Sequence, residues 1–254
     1  MKVVIDPGHG ERGNPYPSKP GYYEGTQMFV LAGYLSDDLK KHGFEVIMTR
    51  QNVKDDPDLS SRGSLAKGAA MFVSLHSNAV ADSSVRGCEV FYSVQGPQYK
   101  PLAAEISSIV AVLMGKIPDR GAKTRQSTNS AFLDYYTVLY SAVKSGCTCS
   151  FIVEHGFHTN DKDAALLCDE ATLRYIAFSE AEIIAKHFGV STDIPDPQPS
   201  NEVPIELRCD CGNVHTIMNG VWINGSIFTP VRALGEGLGY KVDWDGKKVI
   251  ISRK

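Results

Sequence analysis

Apolar residues recur along this chain in two rhythms. Short unbroken runs, among them Val3-Val4-Ile5, Phe72-Val73 and Phe151-Ile152-Val153, read as buried strands. Between them, apolar positions three and four residues apart read as helices with one buried face. Met28, Ala32, Leu35 and Leu39 form one such set, and Leu102, Ile106, Ile109 and Leu113 another. The predicted order begins with a strand at 2–6, a glycine- and proline-rich loop at 10–22 and a helix from Glu24 to Lys41. A strand at 44–49, a short helix at 59–69 and strands at 71–76 and 87–93 follow. A helix at 99–115, a helix at 136–145, a strand at 149–154 and a helix at 173–188 complete the region. Strands alternating with helices, with apolar runs in the strands, predict an α/β fold with a mainly parallel sheet flanked by helices.

The rhythm breaks at residues 191–202, STDIPDPQPSNE, where three prolines stand among polar residues. Such a stretch predicts an exposed, semi-stiff linker. The expected division is a first domain over 1–190, a linker over 191–202 and a small α+β module over 203–254. In that module Asn219-Gly220 and Asn224-Gly225 read as turns. A short helix is expected over 233–237, then strands at 240–244 and 247–252 joined by a hairpin turn at Asp245-Gly246.

Composition removes several function classes. The chain has 254 residues, with 26 basic and 29 acidic side chains and a net charge of −3. No basic tract interrupts it, so nucleic acid is not an expected partner. No apolar stretch approaches the ~20 residues that cross a bilayer, so membrane insertion is not expected. The first residues run directly into a strand without the features of a secretory signal, which predicts accumulation in the cytoplasm. The six cysteines are then expected to stay reduced as structural thiols. The spacings Cys147-x-Cys149 and Cys209-x-Cys211 are one residue short of redox and zinc-ribbon motifs.

Candidate chemistry gathers where strands end. The first strand runs into Asp6-Pro7-Gly8-His9-Gly10, the third ends in His76, and the run Phe151–Val153 ends in Glu154. Glu24 opens the first helix. Ligand sites in open α/β sheets lie at the carboxyl ends of strands. Polar heads delivered there from apolar runs are costly unless coordinated or hydrogen-bonded. Two imidazoles and a carboxylate are a standard donor set for Zn²⁺ in hydrolases, with a fourth position left open. His9, Glu24 and His76 are therefore assigned as metal ligands and Glu154 as the catalytic base and later acid.

Each residue taken singly has a plainer reading. His9 and His76 could be satisfied structural residues, Glu24 a favourable charge at a helix start, and Glu154 the partner of Arg50 or Arg62. Three strand ends each delivering a His or Glu, with Glu24 at a helix start, together favour the site. His155 and His158 beside Glu154 are expected at the surface, the alternative being that one of them supports the site residues from behind. His42 and His187 are expected to meet the dipole at helix ends. A metal site from Cys209, Cys211 and His215 lacks an evident fourth ligand.

The segments VVIDPGHG, YEG, FVSLHSNA and FIVEHGFHTN resemble those of zinc-dependent N-acetylmuramoyl-L-alanine amidases of the Amidase_3 type. Thr49-Arg50 and Arg62 belong to the same resemblance, which covers residues 1–188. It implies Zn²⁺ on His9, Glu24 and His76, Glu154 as catalytic glutamate, and peptidoglycan as substrate. The bond cut would join the muramyl lactyl group to L-alanine. Two departures stand out: His158 replaces a common aliphatic residue, and Cys147-Thr148-Cys149 replaces a stretch that often contains proline. The stretch FTPVRALGEGLGYKVDWDGKKVIIS is similar to the copper amine oxidase N-terminal-like domain, which implies a wall-binding or homodimerising module without copper. The absence of a signal further implies a phage endolysin, held in the cytoplasm until release to the wall. A bacterial autolysin and a non-catalytic wall-binding protein are the alternatives.

Overall fold

The computed structural model describes residues 1–190 except Pro17 and Pro20, and beyond them only the backbone of strands between 202 and 253. Contacts divide the chain into two compact units, Met1–Pro197 and Gln198–Lys254.

The first unit is built on a six-stranded sheet. Its strands are β1 (Lys2–Pro7), β2 (Glu45–Met48), β3 (Met71–Asn78), β4 (Cys88–Tyr92), β5 (Asp119–Lys123) and β8 (Ser150–Phe157). Their spatial order is β2-β1-β3-β8-β4-β5. Strands β2, β1, β3 and β8 are parallel, and β4 joins β8 in the opposite direction. The expected α/β architecture is the one observed.

Helices α1 (Glu24–Lys41), α3 (Lys100–Leu113) and α6 (Glu170–His187) cover one face. Their apolar stripes, including Met28, Leu35, Ile106, Val110, Ile176 and Ile184, pack on Val3, Ile5, Val73 and Val153 of the sheet. Helices α2 (Leu59–Ser64) and α4 (Thr137–Lys144) lie on the other face, where Val138 and Leu139 meet Val4, Phe72 and Ile152. Alternation along each strand thus splits one apolar run between two cores. Asp58 caps α2 and Asp169 caps α6, each side chain accepting from amides of the first turn.

Among the elements that escaped the sequence reading are β5, the hairpin β6 (Gln126–Ser127) and β7 (Ser130–Asp134), and α5 (Asp161–Leu166). β5 reads Asp-Arg-Gly-Ala-Lys and sits at the sheet edge, so it needs one ladder and little apolar content. α2 also stops at Ser64, five residues before the expected end, and the chain continues in turns.

In the second unit β9 (Glu202–Arg208), β10 (Val214–Ile223) and β11 (Ser226–Phe228) form an antiparallel sheet. β12 (Tyr240–Trp244) pairs antiparallel with β13 (Val249–Arg253). Asn219 and Gly220 are not a turn; they lie inside β10, paired with Pro204 and Val203. A turn dipeptide is a local preference, and here the ladder to β9 overrides it. Asn224-Gly225, the helix expected over 233–237 and Asp245-Gly246 lie outside the described residues.

Candidate active site

The turn after β1 carries His9 in the left-handed region, with φ of 58°. Histidine visits that region more readily than most residues. Gly8 beside it has no room for a side chain, because a Cβ there would lie 2.3 Å from the His76 ring. At Gly25 a Cβ would stand 1.7 Å from the carbonyl oxygen of Gly10. Both close approaches press the turn, the start of α1 and the end of β3 together.

Two buried arginines hold this turn. Arg62 donates from Nη1 to Asp6 Oδ1 (2.9 Å) and to the Pro7 carbonyl (2.8 Å), and from Nη2 to the His9 carbonyl (3.0 Å). Arg50 donates to the carbonyls of Gly25 and Asp55, each at 2.9 Å. Asp6 is saturated as well, accepting from Ser74 Oγ at 2.6 Å and Thr49 Oγ1 at 2.5 Å. Neither arginine pairs with Glu154, so the structural partnership considered for that residue is not the one formed.

His9, Glu24 and His76 converge. One ligand-type atom from each lies within 4.8 Å of the others, although the residues come from a turn, a helix and a strand. Glu24 is fully buried. Its Oε1 lies 2.8 Å from His76 Nδ1 and accepts from the Ser77 amide at 3.0 Å. Its Oε2 lies 3.4 Å from His9 Nε2 and accepts from Asn14 Nδ2 at 2.5 Å. A buried carboxylate between two imidazoles is a donor set suited to a divalent metal ion.

The charges respond to this packing. Burial alone would raise the Glu24 pKa, yet His76, His9 and the Ser77 amide outweigh it and hold it below the ordinary value. Burial likewise opposes protonation of His76, but Glu24, with Glu154 and Asp6, lifts it to about 9. Burial depresses His9, against the pull of Glu24.

Glu154 stands next to His76 across the β3–β8 ladder. Its Oε2 is buried and has no hydrogen-bond partner among the described residues. Burial, reinforced by Glu24 and Glu89, pushes its pKa up to about 7 against the opposing charge of His76. A carboxyl poised near neutrality can both accept and return a proton.

His155 and His158 are not at the surface; both are buried. Alternation along β8 turns His155 away from Glu154 into the core, where Nδ1 donates to the His76 carbonyl (3.0 Å) and Nε2 meets Glu180 Oε1 (3.0 Å). His158 stacks on Tyr22 with centroids 5.3 Å apart, and its Nδ1 lies 3.0 Å from Ser77 Oγ. Both therefore support residues that carry or hold the cluster. His42 caps α1 as expected of a helix end, and it also meets Glu182 at 3.0 Å. Sequence reasoning passed over Asn14, Tyr22, Ser77 and Glu180. Tyr22 adjoins one recognised motif and Ser77 lies inside another, while Asn14 and Glu180 carried no local signal. Among the described cysteines, Cys88, Cys147 and Cys149 are buried free thiols and Cys168 is exposed.

Comparison with known proteins places the chain in a family. Residues 3–186 match the family model Amidase_3, N-acetylmuramoyl-L-alanine amidase. LytC of Bacillus subtilis (strain 168), an N-acetylmuramoyl-L-alanine amidase, is 30% identical over 171 residues, 65% of this chain. The match spans about a third of that relative's own length, 31%. The catalytic domain of CwlV from Bacillus (Paenibacillus) polymyxa var. colistinus superposes with a TM-score of 0.61 at 26% identity, covering 75% of this chain and 99% of that one. AmiC2 of Nostoc punctiforme gives 0.61 at 27% identity, over 74% and 97% of the two chains. The likeness to the amidase from Clostridium difficile 630, 0.62 at 22% identity over 74% and 96%, concerns the fold. The matched residues contain β1, α1, β3 and β8 with the whole cluster they carry, and the chain belongs to the N-acetylmuramoyl-L-alanine amidase family.

Proposed function

We propose that this protein is a zinc-dependent amidase that hydrolyses the bond between N-acetylmuramic acid and L-alanine in peptidoglycan. The observation that carries the reading is the unpartnered, buried oxygen of Glu154 beside the His9–Glu24–His76 cluster in a member of this family. The donor set fits Zn²⁺: two imidazoles and one carboxylate within reach of one another, with Asn14 and the Ser77 amide fixing the carboxylate from behind. Zn²⁺ held there would supply Lewis acidity toward the scissile carbonyl and toward water.

The chain's own residues do the rest. Glu154 Oε2, raised toward neutrality, takes the proton of the attacking water and passes it to the leaving nitrogen of L-alanine. Arg62 and Arg50 keep His9 in place by occupying the carbonyls of its turn and of Gly25. His155 fixes the main chain of His76 from the opposite face of the sheet. A wall-degrading role in host lysis, as an endolysin, belongs to the same proposal, as does wall targeting by residues 203–254.

The test is digestion of purified peptidoglycan followed by labelling of new amino ends, beside elemental analysis of the enzyme. Free L-alanine amino ends and about one zinc per chain are expected. New reducing ends without free L-alanine, or turnover unaffected by chelation, would reject the reading.

A further inference from the structure

On the face of the sheet that carries His76 and Glu154, β4 extends the floor away from the metal cluster. Glu89 pairs with Glu154 and Phe91 with Ile152, so Glu89 and Phe91 share that face. Tyr136 packs on Phe91 with ring centroids 5.2 Å apart. Beyond it the guanidinium of Arg125 lies 3.6 Å from the Tyr135 ring centroid and 5.6 Å from that of Tyr136.

The cations along this track differ in their commitments. Arg120 and Lys123 are both engaged by Glu89, which also accepts from Asn78. Arg125 is exposed and hydrogen-bonds the Tyr136 side chain, while among the described residues no carboxylate lies within ion-pair reach of it. Its position is nevertheless constrained. The Tyr135 amide donates to the Arg125 carbonyl at 2.9 Å. Buried Asp134 anchors the hairpin by accepting from Ser93 Oγ (2.7 Å) and the Val94 amide (2.9 Å). A planar guanidinium backed by an aromatic ring presents its edge N–H groups as a carboxylate fork.

We propose that this track binds the peptide side of the substrate, with Arg125 receiving a free carboxylate of the stem peptide. The inference rests on the amidase reading of the site. Glu89 to Phe91 covers about 7 Å of strand. The two ring contacts beyond it carry the track on from Phe91 through Tyr136 to Arg125. The peptide side of the bond offers carboxylates, whereas the sugar side offers hydroxyl and acetamido groups, so the charge selects the peptide.

Two muramoyl-tetrapeptides differing only in a C-terminal carboxylate or carboxamide test this. Both are assayed with zinc-loaded wild type, Arg125→Gln and Arg125→Lys, and the corresponding free tetrapeptides are titrated by calorimetry. A charge-assisted fork predicts a KM for the acid substrate about 10- to 100-fold higher in Arg125→Gln. Unchanged kcat, an unchanged response to the amide substrate, and partial recovery in Arg125→Lys are expected with it. Equal effects on acid and amide substrates, or none on either, would overturn the inference. Arg125-dependent binding of the acid peptide without any turnover by wild type would retain the subsite and reject the amidase reading. Loss of both would reject the two together.

Discussion

The turn that carries His9 and the strand end that carries Glu154 are opposite solutions to burying polar atoms. Around the turn, Asp6 and the main-chain oxygens of Pro7 and His9 receive donors from Arg62, and Arg50, Thr49 and Ser74 occupy the rest. At Glu154 one oxygen is left without a partner, and burial drives its pKa to about 7. Saturated hydrogen bonding holds a group in place, which a ligand needs. An unsatisfied carboxyl is reactive toward a proton, which a base needs. The same sheet edge thus separates holding, in the turn after β1, from proton transfer, at the end of β8, with β3 between them.

The comparison breaks most visibly at Glu154. Glu154→Gln is expected to keep zinc and fold while losing turnover by on the order of 10²–10⁴-fold, as for removal of a general base. Elemental analysis with a muropeptide assay measures both. Zinc loss would mean that Glu154 belongs to the holding group, and near-normal turnover would move the base elsewhere.

Arg62→Ala should do the reverse, costing about 3–5 kcal/mol of folding stability by stranding buried Asp6 and two carbonyls. Denaturant titration reads the loss. A change under 1 kcal/mol would show that water replaces the guanidinium freely and that the turn is not held as described. A milder version of the same test is Asn14→Ala, which removes one donor to Glu24. Zinc affinity should fall about 10- to 100-fold, as for outer-shell partners elsewhere. Competition against a chelator measures it, and unchanged affinity would leave Asn14 without a role at the cluster.

A further effect is on the pH dependence of the metal-free protein. Between the ordinary value of 4.5 and about 7, the unfolded chain holds Glu154 ionised while the folded chain keeps its proton. Folding then takes up a proton, so this residue's contribution to stability declines as pH rises through that window. Thermal melts of metal-free wild type and Glu154→Gln should diverge across it, with the variant less sensitive to pH. Parallel curves would show that Glu154 is ionised already at low pH.

Much of the fold was legible because its signals are local. The helix from Glu24 to Lys41 shows its apolar spacing and polar ends in the sequence, and the observed helix has those limits. The strands at 71 and 150 announce themselves as apolar runs. β5 and the hairpin at 126–134 do not, since an edge strand and a short ribbon bury little. Burial was misjudged at His155 and His158 because adjacency to a catalytic motif says nothing about which face of β8 a side chain takes or what covers it.

His9, Glu24, His76 and Glu154 were nameable from the sequence because metal-type side chains at the ends of apolar strands are costly without a purpose. Their convergence was a matter of topology. β1, β3 and β8 had to become neighbours, and α1 had to start against the β1 turn, before the cluster's atoms could lie within 4.8 Å of one another. The tertiary structure alone assigned Arg50 and Arg62 to the turn rather than to Glu154, and left one Glu154 oxygen without a partner. Residue types and spacing set which chemistry is available. Partnership depends on distances between segments far apart in the chain, and those exist only once the sheet is assembled.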